Sequence, residues 1–504
     1  MVDKPGVLIR REVRSLTDDT LQWYAIAVAE MMQRDKETEP KNPTSWWYQA
    51  AIHGTHLQHL EALWNQCKHG GWYFVAWHRM YTYYFERIVR DAVVKAGGPE
   101  DWALPYWNYG LNGKYASIPD AFRSPTDSHG NPNPLYVKAR RPKEVSEKGV
   151  KPGINEGGIL SPAITTDAFA ISRPGFIGGR EFGGGISPPR EQFWSQTGRL
   201  EQTPHNDVHN GIGGEDGLMT DPDEAAKDPI FWLHHSNIDR IWAEWSLTHS
   251  NPVDGAWKGW KFKFFDESGK EASKACGEVV DTVANLGYTY DVIRKAEPKP
   301  STPQPPDAGE PPTQEGPEAV AVGEPAAVGS ESANSKVVGA SEEAVTLTGG
   351  TETVPVPIDA RSQDEVLEAS RAEDPRHLYL NIEDIEGEKN PGTVYGVYVN
   401  LPENPDESTL AEHHVGNLSF FGIERARNPR GDEHGHNLRL SMEVGELLRQ
   451  TGGGEQFGGE EVHVTFLPLS LISPGGETEE AFDPPERTED KPPVQVGRVS
   501  VTVD

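Results

Sequence analysis

Aromatic residues stop at Tyr290 and do not resume until Tyr379. All 14 tryptophans lie between Trp23 and Trp260, and both cysteines, Cys67 and Cys276, fall in the same part. Large rings carry much of the apolar area a core needs, so a gap this long separates two bodies with separate cores. Inside the gap, nine prolines fall between Pro298 and Pro325 among Gly, Ala, Glu and Ser. Such a composition cannot bury enough apolar surface to order itself. Residues 297–350 are therefore expected to be an extended linker open to proteases, dividing residues 1–296 from 351–504.

The first body reads as helical. Leu16-Thr17-Asp18-Asp19 offers Thr17 as an N-cap, with acids in the first turn, ahead of a helix over Leu21 to Met32. Trp46 to Trp64 and Phe74 to Val94 read as longer helices, the latter with Met80, Tyr84 and Ile88 spaced for burial. Gln202 to Asn210 and Ile230 to Trp245 read as two more. Residues from about 110 to 189 are rich in Gly, Pro, Ser and Asp. They read as long loops, which in compact domains commonly serve as site rims.

The second body changes texture. Leu378–Ile382, Val394–Leu401, Leu418–Ile423, Leu438–Val444, Val462–Leu467 and Val494–Val503 are short β-prone runs parted by Gly and Pro clusters. Val499, Val501 and Val503 alternate with Ser500 and Thr502, as a half-buried strand requires. Six or more strands in roughly 150 residues point to a β-sandwich. The expected fold is a mainly α domain, a four-helix bundle with long loops, followed by an all-β C-terminal sandwich.

The formal net charge of −31 argues against nucleic acid and anionic membrane as partners, because phosphate binding needs clustered Lys and Arg. Two cysteines are too few for a disulfide framework. The sequence contains no run of about 18 apolar residues to span a membrane. Met1 to Arg14 carries charges and no apolar signal-peptide core. Cytoplasmic residence is the default expectation, and export on a partner protein the alternative.

Histidine is where chemistry concentrates. His205 and His209 form an H-x-x-x-H pair, which on a helix sets both imidazoles on one face. His234 and His235 follow, and His53, His69 and His78 form an earlier trio in an equally aromatic setting. Two sets of three imidazoles are what a pair of redox metals would need, and helical bundles regularly host such pairs. Neutral imidazole suits copper, zinc, iron and nickel. A di-iron bundle would add Glu-x-x-His ligands, which do not accompany these histidines. Six imidazoles with no carboxylate or thiolate set is not a usual zinc site. The bland alternative is a histidine-rich structural bundle, since a single histidine is more often packed or solvent-facing than a ligand.

Two longer motifs narrow the choice. Trp77-His78-Arg79 with Tyr84-Phe85-Glu86, and Asp228-Pro229-Ile230-Phe231-Trp232-Leu233-His234-His235-Ser236-Asn237-Ile238-Asp239-Arg240, resemble the copper signatures of the type-3 dicopper family. That family comprises tyrosinases, polyphenol oxidases, catechol oxidases and molluscan haemocyanins. The resemblance covers roughly residues 45–250 and implies two copper ions, one held by His53, His69 and His78, the other by His205, His209 and His235. His56 and His59 compete with His53 on sequence alone. His53 fits the family's spacing and precedes Gly54 as in the family, and His59 is expected to be a surface or packing residue. His234 is expected to be bonded elsewhere near the site.

The same resemblance implies further roles. Cys67, two residues before His69, would be joined to it by a thioether, the alternative being a free buried cysteine. Glu201 and Asn206 would orient a water that helps deprotonate monophenols, a task suited to a carboxylate; the alternative for Glu201 is a solvated helix-start acid. Asp207 reads as a further acid at the rim or as merely solvated. Arg79 and Asp239 would form a buried ion pair that fixes geometry more than it adds stability. Tyr288-Thr289-Tyr290 resembles the motif that closes the catalytic domain. The C-terminal body resembles the domain that shields the active site in latent relatives.

The implied activity is oxidation of o-diphenols to o-quinones with O2, and ortho-hydroxylation of monophenols as in tyrosinase. The phenol and O2 are the implied small-molecule partners, and an activating protease would cut the linker. Catechol oxidase or o-aminophenol oxidase activity alone, or an O2 carrier like haemocyanin, are the other readings. Leu410, ahead of Glu412-His413-His414-Val415-Gly416, is the expected plug, with Phe420 and Phe421 as alternatives more at home in a strand core. His413 and His414 are expected to be exposed loop histidines.

Overall fold

The computed structural model describes residues 6–17, 19–58, 61–110, 115, 117–127, 129–140, 182–186, 197–293, 336–369, 377–427, 437–445, 447, 461–469 and 491–503. His59, most of the 110–189 loops and residues 297–335 of the expected linker lie outside them.

The helical body is built from α1 (Thr20–Gln33), α2 (Trp46–His53), α3 (Phe74–Lys95), α4 (Asp207–Gly213) and α5 (Pro229–Trp245). Asp19, not Thr17, holds the N-cap position of α1, and its side chain makes no capping bond. At α5 the cap is strong: the Asp228 carboxylate accepts from the Ile230 N–H, and Pro229 occupies the first turn, where its missing N–H costs nothing. The short helix α6 (Gly255–Gly259) and the hairpin of β2 (Lys261–Phe265) and β3 (Glu271–Ala275) pack beside the bundle. β1 (Leu8–Arg10) pairs in parallel with β4 (Tyr288–Tyr290), which closes the body onto its own N-terminus. Among the described residues no helix is long and apolar enough to cross a membrane.

Helix α2 is much shorter than its sequence pattern. It stops at His53 because Gly54 is extended and wedged against the loop before α5; a Cβ there would come within 2.6 Å of the Pro222 carbonyl. The chain then turns back, with Leu63 and Asn65 at positive φ. The N–H groups of Asn65, Gln66 and Cys67 bond the carbonyls of Ala51, Ile52 and His53. These carbonyls have no helical partner of their own, so the returning loop caps α2 and brings Cys67 and His69 beside His53.

A buried charge cluster ties the body together. Arg79 on α3 bonds Asp239 on α5, as expected. Unforeseen in the sequence, Arg10 on β1 bonds Asp239 at 3.1 Å and Glu86 at 2.7 Å, and the Tyr288 and Tyr290 hydroxyls donate to the same aspartate. Asp239 stays below the usual carboxylate range despite its burial, through Arg79 and Arg10. Removing either arginine would strand a buried charge, the costly case.

The C-terminal body is a two-sheet sandwich. One sheet runs β10-β9-β12-β7 and the other β11-β8-β13-β5, with β6 also paired to β13. Their ranges are β5 Lys336–Ala340, β6 Val345–Leu347, β7 Glu352–Pro357, β8 Leu378–Gly387, β9 Val394–Val399, β10 His414–Leu418, β11 Leu438–Glu443, β12 Glu461–Leu469 and β13 Val494–Val503. Short helices α7 (Gln363–Ala369), α8 (Glu407–His413) and α9 (Ile423–Arg427) join them. Two corrections follow. Residues 336–347 were assigned to the linker but form β5 and β6, whose partner is the C-terminal strand β13. The run Leu418–Ile423 is not a strand: β10 ends at Leu418, and the chain turns into α9.

The two bodies are in contact. Gly392, at φ +65°, lies so close to Gly214 that a Cβ would meet its backbone at 2.2 Å. Asn390 donates to Asn210 at 2.9 Å, Asn210 to Ser419 at 2.6 Å, and Lys389 pairs with Asp216.

Candidate dicopper centre

Each predicted ligand is placed by a different local device. His53 is the last residue of α2, His78 sits one turn into α3, and His235 lies mid-α5. His69 is on the loop that caps α2. His205 is not on a regular helix: residues Glu201–Asn206 form a wide π-type turn interrupted at Thr203, and His209 follows on α4. The predicted helix over 202–210 is thus two pieces, yet the H-x-x-x-H rings stay together, with centroids 4.5 Å apart.

All six rings are buried. The Nδ1 atoms of five face fixed acceptors: Pro222 O for His53 at 2.8 Å, Glu201 for His69 at 3.1 Å, Phe74 O for His78 at 2.8 Å, Asn206 Oδ1 for His205 at 2.8 Å and Met219 O for His209 at 2.6 Å. A carbonyl can only accept, so in the four rings that face one Nδ1 carries the hydrogen and Nε2 keeps its lone pair. The Nε2 atoms of His78, His205, His209 and His235 are buried without a hydrogen-bond partner, and those of His53 and His69 are 3.4 Å apart. Buried nitrogens without a partner are rare unless an ion or ligand binds them. Burial, with mutual repulsion, pushes the imidazoles down, His78 and His209 to about 3. The rings are therefore neutral near pH 7, the form that binds a metal. This donor set fits two copper ions: all nitrogen, neutral, and pre-oriented by bonds behind each ring.

His235 faces both sets. It stacks on His78 with centroids 4.4 Å apart and lies within ligand distance of His53 and His78 on one side, and of His205 and His209 on the other. His234 also stands near His205 and His209, and its Nδ1 meets the Tyr109 hydroxyl at 3.1 Å. His56 is elsewhere, half exposed and bonded to Asp221 at 2.6 Å.

Glu201 is no solvated helix-start acid. It is fully buried, accepting from the Gly70 N–H at 2.9 Å beside His69. Burial raises its carboxyl to about 8, against the pull of the Gly70 N–H; adjacent metal cations would lower it again. Asn206 holds the His205 ring and lines a small cavity of about 30 Å³ with Gln202, Asn417 and Phe421, room for one water. Asp207 is buried too, accepting from Thr203 and from Asn417 of the sandwich. Cys67 is buried and in no disulfide, and its sulfur lies within 4.8 Å of ring nitrogens of His53 and His69. Cys276 is buried and free, packed in the helical core.

No contact in the described residues brings Leu410, the expected plug, to the histidines. That residue lies half-buried in α8. The side chain over the histidines is Phe421, its ring stacked on His209 at 4.2 Å and within 5.6 Å of His69 and 5.5 Å of His205. Its neighbour Phe420 turns the other way, into the sandwich core. Adjacent residues in a turn share no face periodicity, so their opposite directions were invisible in the sequence. Arg425 was missed for the same reason: it reaches from α9 to Asp223 at 3.1 Å. His413 and His414 are half-buried and bonded to Val399 O and Asn417, not exposed in a loop.

Comparison with known proteins agrees with this geometry. Residues 43–168 and 180–248 match the common central domain of tyrosinase, and residues 334–504 match a domain of unknown function. A tyrosinase of Hahella sp. (strain CCB-MM4) is 34% identical over 92% of this chain and 95% of its own length. A chloroplastic polyphenol oxidase of Vicia faba is 27% identical over 58% of this chain and 49% of its own. Among solved structures, a latent apple tyrosinase superposes with a TM-score of 0.59 at 19% identity, covering 100% of this chain and 98% of that one, a likeness of fold. The buried imidazole pair of triads, the two motifs that carry it and the near full-length relative together place the chain in the tyrosinase family of dicopper polyphenol oxidases.

Proposed function

We propose that His53, His69 and His78 hold one copper and His205, His209 and His235 the other, and that the enzyme hydroxylates monophenols as well as oxidising o-diphenols. We further read the chain as latent until its linker is cut. The observation that carries this is the Phe421 ring, which fills the space above His209 that a phenol ring would need. It supports two points together: the face accepts an aromatic ring, and in the intact chain it is already occupied.

When bound, the coppers would hold O2 and pass to it the electrons taken from the phenol. The chain's own residues do the rest. Carbonyls behind the rings fix the metal-binding nitrogens. Glu201, beside His69, is placed to accept the phenolic proton, and Asn206 fixes His205 and borders the small water-sized cavity. Cys67, its sulfur within 4.8 Å of a His69 ring nitrogen, would be joined to that ring by a thioether, its S–H and the ring C–H giving up two protons and two electrons to O2; the bond would lock the ring on its loop. The aromatic walls exclude bulk water.

The test is oxygen uptake with tyramine and with catechol, before and after limited proteolysis of the linker. Both substrates should be consumed, and much faster after cleavage. Turnover of catechol alone would reduce the enzyme to a catechol oxidase. Rates unchanged by cleavage would remove latency, and reversible O2 binding without turnover would favour the carrier reading.

A further inference from the structure

Phe421 is not the only side chain that the sandwich sends into the helical body. One helical turn further along, Arg425 lays its guanidinium against Asp223, Nη1 to Oδ1 3.1 Å, and 3.8 Å from Cys67 Sγ. Both side chains are almost wholly buried, 3% and 5% exposed. A single short segment therefore presents a ring to His209 and a cation to a carboxylate at the edge of the same site. The carboxylate is rigidly placed. Its chain neighbour Pro222 accepts from His53 Nδ1, and Gly54, lacking a Cβ, leaves it room. Other charged groups beside it include His56, 3.6 Å away, and Asp221, which takes the other nitrogen of that histidine.

We propose that Asp223 is a specificity residue for the positively charged arm of phenolic amines. In the intact chain Phe421 and Arg425 stand where the ring and the ammonium of such a substrate would lie. Once the sandwich leaves, Asp223 loses its guanidinium, and a carboxylate in such a place strongly favours a new cation over water or an anion. A carboxylate-bearing phenol would instead meet like charge. The proposal rests on the latency reading, because only displacement of Arg425 opens Asp223.

The experiment uses the full chain cleaved in the linker and compares kcat/KM for dopamine, 4-methylcatechol and 3,4-dihydroxyphenylpropionate at low ionic strength. Dopamine should exceed the propionate by roughly tenfold, and Asp223→Asn should shrink that ratio roughly fivefold or more, chiefly through KM. Asp223→Glu should preserve it. A wild-type ratio of one or less, or a ratio that Asp223→Asn leaves unmoved, overturns the proposal. If Asp223→Asn does not fold, the wild-type ratio must still fall with added salt, as screening of a point charge demands; a salt-independent ratio also overturns it. If cleavage leaves 4-methylcatechol oxidation unchanged, the latency reading fails and the subsite fails with it. Raised oxidation with an unmoved ratio sinks the subsite alone.

Discussion

The two bodies are buried equally well and for opposite ends. The helical core is packed with Trp, Tyr and Phe, and encloses Arg10, Arg79, Glu86, Asp239, Glu201 and seven histidines. The sandwich core is mostly aliphatic, with Tyr395, Phe420 and Phe466 among its rings, and its inner polar groups pair locally, as Ser441 does with Asn381. A core whose buried polar groups satisfy one another is built for stability. One whose buried nitrogens lack partners is built to receive something. Phe420 and Phe421 mark the border: one ring serves the sandwich, and its neighbour serves the site.

The sharpest way to break this contrast is to remove one of the orphaned nitrogens. His209→Ala should lower bound copper from two per chain to one and cut catechol oxidation, after linker cleavage, by at least roughly a thousandfold, because the two metals act as a unit. Metal analysis with oxygen uptake decides it. Two coppers retained with full activity would mean that His234 or another ring does the work assigned to His209.

The paired phenylalanines offer the next largest effect. Phe420→Ala should destabilise the sandwich by about 3–5 kcal/mol, the usual cost of emptying a packed ring site. Phe421→Ala should cost less and instead raise catechol oxidation by the uncleaved chain roughly tenfold or more, since it uncovers His209. Leu410→Ala should do neither. Denaturant midpoints and uptake rates on the same three variants separate the two roles; matching behaviour of Phe420→Ala and Phe421→Ala would erase the distinction.

Those two residues also show what the sequence could convey. The buried cluster of histidines, the Arg79–Asp239 pair, α3, α5 and β13 were legible because each follows from a local rule: a motif, a 3.6-residue stripe or a strict alternation. The rest depended on tertiary contact. Helix α2 ends at His53 because Gly54 must fit against Pro222, a neighbour 168 positions away in the chain. The carbonyls behind His53 and His209 belong to Pro222 and Met219, and main-chain acceptors carry no side-chain signature. Arg10 looked like an ordinary basic terminus until β1 met β4. Phe421 and Arg425 were hidden because which of two neighbouring rings faces the histidines, and where α9 sends its arginine, depend on how the sandwich meets the helical body.

Acid should expose the contrast more gently. In the copper-free chain, burial holds the seven histidines well below their ordinary 6.5. The unfolded chain then binds more protons between about pH 3 and 6.5, so stability falls as pH drops through that window. Glu201 and Asp207 act with opposite sign. Their folded carboxyls are raised to about 8 and 7, so the folded form binds the extra proton, and stability falls as pH rises from about 4.5 toward 8. Seven groups outweigh two below 6.5, which places the optimum near pH 6 to 7. Hydrogen exchange should show α3 losing protection at pH 4.5 while β8 and β13 keep theirs. Equal loss in both bodies would mean that His414, which burial also holds below its ordinary range, weighs on the sandwich as the seven do on the helical body.

The smallest expected effect lies on the seam itself. Asn417 donates to the Asp207 carboxylate at 2.8 Å across the two bodies, and its own oxygen meets His414 at 2.9 Å. Asn417→Ala removes one hydrogen bond to a buried acid that Thr203 still serves. A bond of this kind contributes about 0.5–1.5 kcal/mol net, so the closed arrangement should weaken and the uncleaved chain should oxidise catechol a few-fold faster. The cleaved enzyme is the control, because the sandwich no longer holds Phe421 over the site there. A rise confined to the intact chain assigns Asn417 to the closure. An equal change in both forms would assign it to the shape of the 201–206 turn and α4, which carry His205 and His209, and the seam would then be held by Gly392, Asn390 and Arg425 without it.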